Sequence, residues 1–272
     1  MSELNYLEKL LDGTEVEWKA LGDVTSVLRG KRLTKNLLSA EEKFPVFHGG
    51  LEPLGYYNKS NRPANTVMII NVGASAGTVG YSTVDFWSSD GCFCLEHNEL
   101  LNNRFLYFAL IGYQSLLKSK VRVAGIPTLD AIVVNKLLIP IPCPENPEKS
   151  LAIQSEIVRI LDTFSALTAE LTAELTAELN MRKKQYNYYR DQLLSFKEGE
   201  VEWKALGEIG EVRMCKRILK SQTSSEGEIP FYKIGTFGKE PDSYISRKLF
   251  NEFKEKYSYP KVGEVLISAS GT

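Results

Sequence analysis

The chain has 272 residues, 43% of them hydrophobic, so it can build one large domain or two ordinary ones and is not a disordered chain. Its 33 Lys and Arg nearly balance 34 Asp and Glu, which excludes a protein that coats nucleic acid through overall positive charge. No apolar run reaches about 18 residues, and the charged N-terminus MSELNYLEKLLDG has no apolar centre, so we expect neither a membrane span nor a secretory signal.

The cysteines follow no disulfide-framework spacing; they are Cys92, Cys94, Cys143 and Cys215. Such usage is typical of a reducing compartment, so we expect a cytoplasmic location. Cys92-x-Cys94 lacks the second ligand pair of a zinc site. We therefore expect buried thiols there and no metal.

Residues 15–145 are predicted to form a mixed α/β domain. NTVMIINVG, TVGYSTV and GCFCLEH have the composition of strands and are separated by glycines. Residues 102–120 are predicted to be a helix because apolar residues recur there at helical spacing: Phe105, Phe108, Ala109, Leu116 and Leu117. The four prolines of IPIPCPENP (139–147) predict an extended connector, and Pro147 is typical of a helix start.

A long helix is predicted from about Ser150 to Phe196, a stretch without Gly or Pro that includes the word TAEL three times at 168–179. At 1.5 Å per residue it spans roughly 70 Å. Its apolar stripe needs a second long helix beside it. The residues predicted for this helix–helix interface are Ile153, Ile157, Ile160, Leu161, Phe164, Leu167, Leu171, Leu175, Leu179, Tyr186 and Leu193.

The octapeptide EVEWKALG occurs at 15–22 and again at 200–207, an offset of 185 residues. The same offset places Lys216, Arg217 and Lys220 on the basic residues of the first copy. This is a tandem duplication with one complete copy and the opening of a second. We expect the weak part of the chain to be 208–272, since the equivalents of the later strands and helix of the first copy are missing.

Patterns of catalytic sites are absent from the sequence. GASAGTVG (73–80) lacks the Lys-Ser/Thr of a phosphate loop, and there is neither GxGxxG nor GxSxG. We therefore expect a non-catalytic chain. Clustered basic residues usually form a solvated face, but their recurrence in both copies favours a function. The clusters are Arg29, Lys31, Arg32 and Lys35; Lys118, Lys120 and Arg122; and Lys216, Arg217 and Lys220.

These motifs resemble a known family. IPIPCP followed by LAIQSEIVRILDTFSAL, the TAEL words and RKKQYNYYRDQLLSF is similar to the central region of specificity subunits of type I restriction–modification systems. EVEWKALGDVTSVLRGKRLTK and VGASAGTVGY are similar to their target-recognition domains. The resemblance covers essentially the whole chain and is most specific in 151–207.

The resemblance implies an α/β (α+β) target-recognition domain in 1–148, a central long helix acting as a coiled-coil spacer in 149–197, and a partial second recognition domain in 198–272. It implies a subunit that binds double-stranded DNA, reads half of a bipartite site, and directs adenine methylation and restriction by partner modification and restriction subunits. S-adenosylmethionine is expected in the modification subunit, and no cofactor is expected in this chain. Full members of the family carry two whole recognition domains and two long helices.

The resemblance also implies DNA contacts from loops and a sheet edge. Lys and Arg suit phosphates or guanine, and Asn suits adenine. The predicted DNA-binding residues are Lys31, Arg32, Lys35, His48, Gly49, Gly50, Asn71, Ser75, Gly77, Arg122, Gly125 and Thr128. Trp87 is set aside as a core residue.

Two other readings remain open from the sequence. One is a helical scaffold or adaptor whose flanking domains bind proteins rather than specific DNA. The other is a methyltransferase whose catalytic part lies elsewhere in a longer chain. For the specificity subunit we expect a homodimer, antiparallel through 150–196, because a second copy would supply the missing helix.

Overall fold

The structure is a computed structural model that describes residues 13–268. The chain divides into two compact units, with the boundary after Gln185. No helix within 13–268 is long and apolar enough to cross a membrane.

The first unit contains mixed strands and helices, as the α/β prediction requires. Its strands are β1 (Val16–Ala20), β2 (Val27–Arg29), β3 (Phe44–Phe47), β4 (Gly55–Tyr57), β5 (Thr66–Ile70), β6 (Val79–Ser82), β7 (Trp87–Ser88), β8 (Cys92–Leu95) and β9 (Leu138–Pro142). Its helices are α1 (Leu21–Val24), α2 (Asn103–Gly112), α3 (Gln114–Ser119), α4 (Ala131–Asn135) and α5 (Pro147–Leu193), which continues past the boundary.

Two sheets and a separate strand pair organise these strands. An antiparallel sheet has the order β2-β8-β5-β6, and a smaller one has the order β4-β3-β7, in which β3 and β7 run parallel. The strands β1 and β9 pair antiparallel, with Val16 opposite Pro142 and Ala20 opposite Leu138.

The central strand β5 is buried on both faces, so two cores form on opposite sides of the larger sheet. Val67 and Ile69 join the main core with α2, α3 and α4, whereas Met68 and Ile70 join a second cluster with Phe86. Successive side chains of a strand point to opposite faces. The continuous apolar run of this strand, without alternation, reflects that burial.

Two expected elements differ in the structure. The helix predicted over 102–120 is two helices, α2 and α3, separated at Tyr113. Gly112 precedes the break and is a poor helix residue. The first residues of the predicted connector IPIPCPENP form the strand β9, which pairs with β1. Pro140 and Pro142 lack an N–H group, but because they are two residues apart both lack it on the same edge of the strand.

The long helix is confirmed, with bounds Pro147–Leu193. Pro147 is its first residue, as the sequence predicts. Its first turns pack on the domain, where Ser150, Ile153 and Gln154 are buried. From Phe164 onward its large apolar side chains are exposed.

The second unit repeats short elements of the first unit in the same order. Its elements are α6 (Leu206–Ile209), a 3-10 turn (Lys220–Gln222), β10 (Ile229–Pro230), a further 3-10 turn (Ile234–Thr236), β11 (Tyr244–Ile245) and α7 (Arg247–Lys256). Helix α6 lies 185 residues after α1, and the turn at Lys220–Gln222 lies 185 after the 3-10 turn at Lys35–Leu37.

Within the described residues, the second copy lacks the core of the first. Residues 201–205 repeat the sequence of β1 without forming a strand, and residues 265–268 form no strand in place of β5. The end of the predicted equivalence, 269–272, lies outside the described residues. Within 186–268 the buried residues are Ser243 and Ile245, so few apolar side chains of this segment contribute burial to its stability.

Candidate nucleic-acid interface

The basic loop after β2 is held on the domain by its backbone, which leaves its side chains free. The Lys31 amide donates to the Ser88 carbonyl at 2.9 Å, and the Trp87 indole donates to the Lys31 carbonyl at 2.8 Å. Trp87 is therefore half-buried and structural, as expected. Lys31, Arg32 and Lys35 are not buried, so this loop presents three cations on a fixed backbone.

The loop at 48–50 follows β3 and lies beside the loop that precedes β8. The His48 carbonyl accepts from the Cys92 thiol at 2.8 Å, and His48 Nδ1 lies 3.3 Å from Asp90 Oδ1 without hydrogen-bond geometry. A Cβ on Gly91 would meet the His48 backbone at 2.6 Å, so only Gly permits this approach. His48, Gly49 and Gly50 are half-buried.

The glycine-rich turn after β5 meets a second hairpin. The Gly73 amide donates to the Pro127 carbonyl at 2.9 Å, and Val72 forms a bridge with Thr128. Arg122 and Thr128 exchange two backbone hydrogen bonds at 2.9 and 3.0 Å. Gly125 stands near the tip of that hairpin at φ +87°, and a Cβ added there would meet nothing within 4 Å.

These segments form one continuous surface. A Cβ on Gly49 would lie 3.3 Å from the Val72 carbonyl, and one on Gly73 would lie 3.8 Å from the Gly49 carbonyl. The loop after β3 therefore lies between the loop before β8 and the turn after β5. Ten of the predicted DNA-binding residues lie in these segments or in the loop after β2 and are exposed or half-buried: Lys31, Arg32, Lys35, His48, Gly49, Gly50, Ser75, Arg122, Gly125 and Thr128.

Asn71 and Gly77 do not fit the predicted role of base contacts. Asn71 is 3% exposed. Its backbone N–H donates to the Gly91 carbonyl, and its side-chain Oδ1 is buried without a hydrogen-bond partner. Gly77 is buried at φ +85°, where a Cβ would lie 2.8 Å from the Lys118 amide nitrogen. Both residues shape the turn from inside, and neither is presented to a base.

Further cations lie beside this surface that the predicted set omits. Arg29 Nε donates to the Asp90 carbonyl at 3.3 Å, and Arg62 Nη2 donates to the Arg29 carbonyl at 3.4 Å. The contact of Gly77 with Lys118 brings the second basic cluster to the glycine-rich turn. The clustering of Lys118 in the sequence could have included it, whereas Arg62 stands alone and carries no sequence signal.

The charge of the surface is partly balanced. Arg122 Nη2 pairs with Asp130 Oδ1 at 3.0 Å, and both groups are well exposed, so this pair is weak in water. Val123 and Ile126, in the same hairpin, are 79% and 70% exposed. Exposed aliphatic groups beside cations suit thymine methyl groups in a major groove.

The paired cysteines are buried thiols, as predicted. Cys92 and Cys94 are 0% exposed and lie on the same face of β8, opposite Ile70 and Met68. Burial raises the pKa of both thiols, so they stay protonated. Within residues 13–268 no group of three or more His, Cys, Asp or Glu is arranged to hold a metal.

The predicted helix–helix stripe divides into two parts. Ile153 is buried and Ile157 packs on the core of its own domain, so these two do not belong to an intermolecular interface. Ile160 is half-buried at the margin. The remaining residues are exposed by 36% to 75%: Leu161, Phe164, Leu167, Leu171, Leu175, Leu179, Tyr186 and Leu193.

A shallow apolar groove runs along α5 beside Phe108 of α2. Leu161 and Phe164 begin it, and the Thr and Ala residues of the TAEL words continue it. The hydroxyls of Thr168, Thr172 and Thr176 donate to carbonyls four residues earlier at 2.7 to 2.8 Å. Because those hydroxyls are satisfied within the helix, each Thr adds a methyl group to the groove.

The chain is similar to proteins of one known family. A family model described as the type I restriction modification DNA specificity domain matches residues 14–181 and 198–272. A putative type I restriction enzyme specificity subunit of Haemophilus influenzae is 44% identical over 277 residues, covering 98% of this chain and 69% of that protein. A type I restriction enzyme specificity subunit of Escherichia coli is 44% identical over 249 residues, covering 87% of this chain and 57% of that protein.

A solved structure has the same fold. The S subunit of a type I restriction–modification system from Mycoplasma genitalium aligns with a TM-score of 0.50 and 21% identity, over 86% of this chain and 63% of that one. This chain thus spans roughly three fifths to two thirds of the lengths of these relatives.

Proposed function

Because this chain belongs to the type I restriction modification DNA specificity family, we propose that it is the DNA sequence-specificity subunit of a type I restriction–modification complex. Its complete domain reads one half of a bipartite target and directs adenine methylation and restriction by partner subunits. The observation that carries the proposal is the continuous surface made by the loop after β2, the loop after β3 and the hairpin around Gly125. It combines exposed cations with a backbone fixed by hydrogen bonds.

The arrangement supports two kinds of DNA contact. Lys31 and Lys35, on flexible side chains, suit phosphates, which position a protein without reading bases. Arg32 has the planar fork that recognises guanine O6 and N7. Arg122 reaches the same surface on a hairpin stabilised by two backbone bonds, so few backbone torsions have to be fixed on binding.

The chemistry of the complex is assigned to the partners. The proposal places S-adenosylmethionine and the methyl transfer in modification subunits, and DNA cleavage in restriction subunits, with this chain non-catalytic and without a cofactor. The complex works in the cytoplasm. The names of the Haemophilus and Escherichia relatives, both specificity subunits, support this division.

The long helix is proposed to pair with that of a second copy. Its exposed apolar stripe runs from Phe164 to Leu179 and resumes at Tyr186 and Leu193, after Arg182. A helix of this length buries such a stripe only against another long helix. A symmetric dimer of the chain would present two identical reading surfaces. The expected target is therefore an interrupted palindrome.

Selection of bound DNA from a random pool tests the proposal. The full chain, with and without its modification partner, is mixed with random duplexes, and the bound fraction is sequenced. Specific half-sites related by a twofold axis are expected. A pool without consensus would favour the scaffold alternative, and an asymmetric consensus would contradict the homodimer.

Dimerisation is tested separately by sedimentation or light scattering. Leu175 is 70% exposed in the stripe, so Leu175→Glu should shift the wild-type dimer to monomer by placing two like charges in the interface. The neighbouring substitution Glu174→Gln, which changes a charge outside the stripe, is the matched control. A strictly monomeric wild-type chain would refute the dimer.

A further inference from the structure

The long helix leaves its domain through a set of polar contacts with α2. Arg104 Nε and Nη2 both donate to Asp162 Oδ1, at 2.9 and 2.7 Å. The same guanidinium lies 4.8 Å from the ring centroids of Tyr81 and Tyr107 and 5.0 Å from that of Phe108. These rings hold the guanidinium in one plane, so the bond to Asp162 has a fixed direction.

A buried amide forms the second part of the joint. Gln154 is 0% exposed, and its Oε1 accepts from the backbone N–H of Asn102 at 2.8 Å. Its Nε2 donates to the Leu100 carbonyl at 3.3 Å and to Ser150 Oγ at 3.1 Å. A buried amide paired at both ends is costly to displace, because any slip leaves its partners unsatisfied.

The cap of α2 links the two parts. Asn102 Oδ1 accepts from the amides of Arg104 and Phe105, at 2.9 and 3.1 Å, and its Nδ2 donates to Ser155 Oγ at 3.4 Å. Asn102, the residue that caps α2, therefore also bonds the long helix, and Arg104 lies in the first turn of the helix that it caps. A rotation of α5 would disturb the cap, the amide and the ion pair together.

We propose that Arg104, Asp162 and Gln154 are positioning residues that fix the angle at which the long helix leaves the recognition domain, and thereby the number of base pairs between half-sites. The inference rests on the proposed function for its DNA consequence. Apolar contacts such as those of Ile153 and Ile157 are non-directional and permit small rotations. The polar contacts are directional and do not.

Because the long helix extends far beyond the joint, a small change of its tilt displaces its far end by a large distance. From Phe164 to Leu193 it extends about 44 Å beyond the joint. A tilt of about 10° therefore moves its far end by about 8 Å, which exceeds the rise of two base pairs at roughly 3.4 Å each. A loosened joint would widen the range of accepted spacers without changing any residue that touches DNA.

The test compares three variants of the full chain. Arg104→Lys keeps the charge but loses the planar fork, and Asp162→Asn keeps the shape but loses the charge. Arg182→Lys is the matched control, because Arg182 bonds Glu178 and Gln185 on its own helix. Amide hydrogen exchange is followed in peptides covering 150–162, and bound DNA is selected and sequenced.

In Arg104→Lys and Asp162→Asn, exchange in 150–162 should rise about tenfold, the factor for one lost charged hydrogen bond. The half-site bases should stay the same while the spacer spreads from one length to neighbouring lengths. Arg182→Lys should show neither change. Unchanged exchange, or a single unchanged spacer in both joint variants, overturns the inference. If the wild type yields no half-sites, the proposed function fails instead, and the exchange result still decides whether the joint holds the helix.

Discussion

Ser224 exchanges two backbone hydrogen bonds with Tyr244, both at 2.9 Å, and Ser39 exchanges the same two with Tyr56, at 3.0 and 3.1 Å. The two serines are 185 residues apart. The offset therefore carries over from the repeated octapeptide to hydrogen bonds that the octapeptide does not contain. The partner tyrosine arrives three residues later in the second copy, so an insertion lies between the serine and the tyrosine.

Removal of 208–272 tests how much the second copy contributes. We expect the half-site bases and the spacer to stay unchanged and the melting temperature of the first unit to shift little, since Ser243 and Ile245 are the buried residues of 186–268. Each exposed apolar side chain of that segment forgoes the roughly 1.5–3 kcal/mol that full burial would contribute. Bound-site selection and calorimetry measure the outcome. A changed half-site would refute the idea.

Gly77→Ala and Gly125→Ala separate backbone strain from packing. Both residues have positive φ, at +85° and +87°, but a Cβ on Gly77 meets the Lys118 backbone whereas one on Gly125 meets open space. Each Ala should cost about 1–2 kcal/mol for the left-handed conformation, and Gly77→Ala should cost about 1–3 kcal/mol more for the overpacked contact. Urea unfolding followed by circular dichroism measures both. Equal losses would mean that the turn moves away from α3 freely.

The thiols should react in a fixed order. Burial raises the pKa of Cys92 and Cys94, so neither forms the reactive thiolate at mildly alkaline pH. Cys215 is exposed and Cys143 is half-buried. Alkylation at about pH 8, near the ordinary thiol pKa, should modify Cys215 first and leave Cys92 and Cys94 intact until denaturant is added, as located by mass spectrometry. Rapid native modification of Cys92 would show that the second core opens.

Much of the fold could be predicted because its patterns are local. β5 and β8 are apolar runs bounded by Gly, and Pro147 begins a helix that no later Gly or Pro interrupts before Leu193. The break at Tyr113 had one local signal, Gly112, but the apolar periodicity on both sides of it favoured a single helix. The pairing of β9 with β1 joins segments that are far apart in the sequence, and no local pattern encodes such a partner.

The candidate site was harder to predict than the fold. The family resemblance implied Asn71 as a base contact, yet the structure buries it, because it directly follows the buried strand β5. Ile153 and Ile157 have the same helical spacing as Leu171, but they face the domain core instead of a second helix. Arg104 and Asp162, 58 residues apart, had no signal at all.

Charge removal in the loop after β2 should weaken DNA binding without altering specificity. Lys31→Ala and Lys35→Ala each remove an exposed cation. If the side chain contacts a phosphate, each substitution should make the negative slope of log K against log salt shallower by about one. Lys19→Ala, whose side chain pairs with Glu17 at 3.1 Å, is the control and should leave the slope unchanged. Fluorescence anisotropy over a salt series measures it. A changed consensus in Lys31→Ala would instead mark a base contact.

The TAEL words are predicted to set the spacer between half-sites. Deletion of 172–175 removes one word, and the following word takes its place with the same Thr, Ala, Glu and Leu, so the groove and the threonine hydrogen bonds are rebuilt. Four helical residues amount to about 6 Å of rise and about 40° of rotation beyond a whole turn. At roughly 3.4 Å per base pair, one word corresponds to one or two base pairs. The 3-4-4 step from Phe164 to Leu175 is close to the period of a straight helix, which suits a rod.

Selection of bound or methylated sites with the deleted chain should therefore return the same half-site bases and a gap shorter by one or two pairs. In a homodimer both helices shorten, but because they lie side by side the change should not double. Glu174→Gln, which changes a word without changing its length, is the control and should leave the gap as it is. If word number were irrelevant, as for a merely solvated low-complexity helix, the gap would not move. Altered half-site bases would show that the helix itself takes part in reading the sequence.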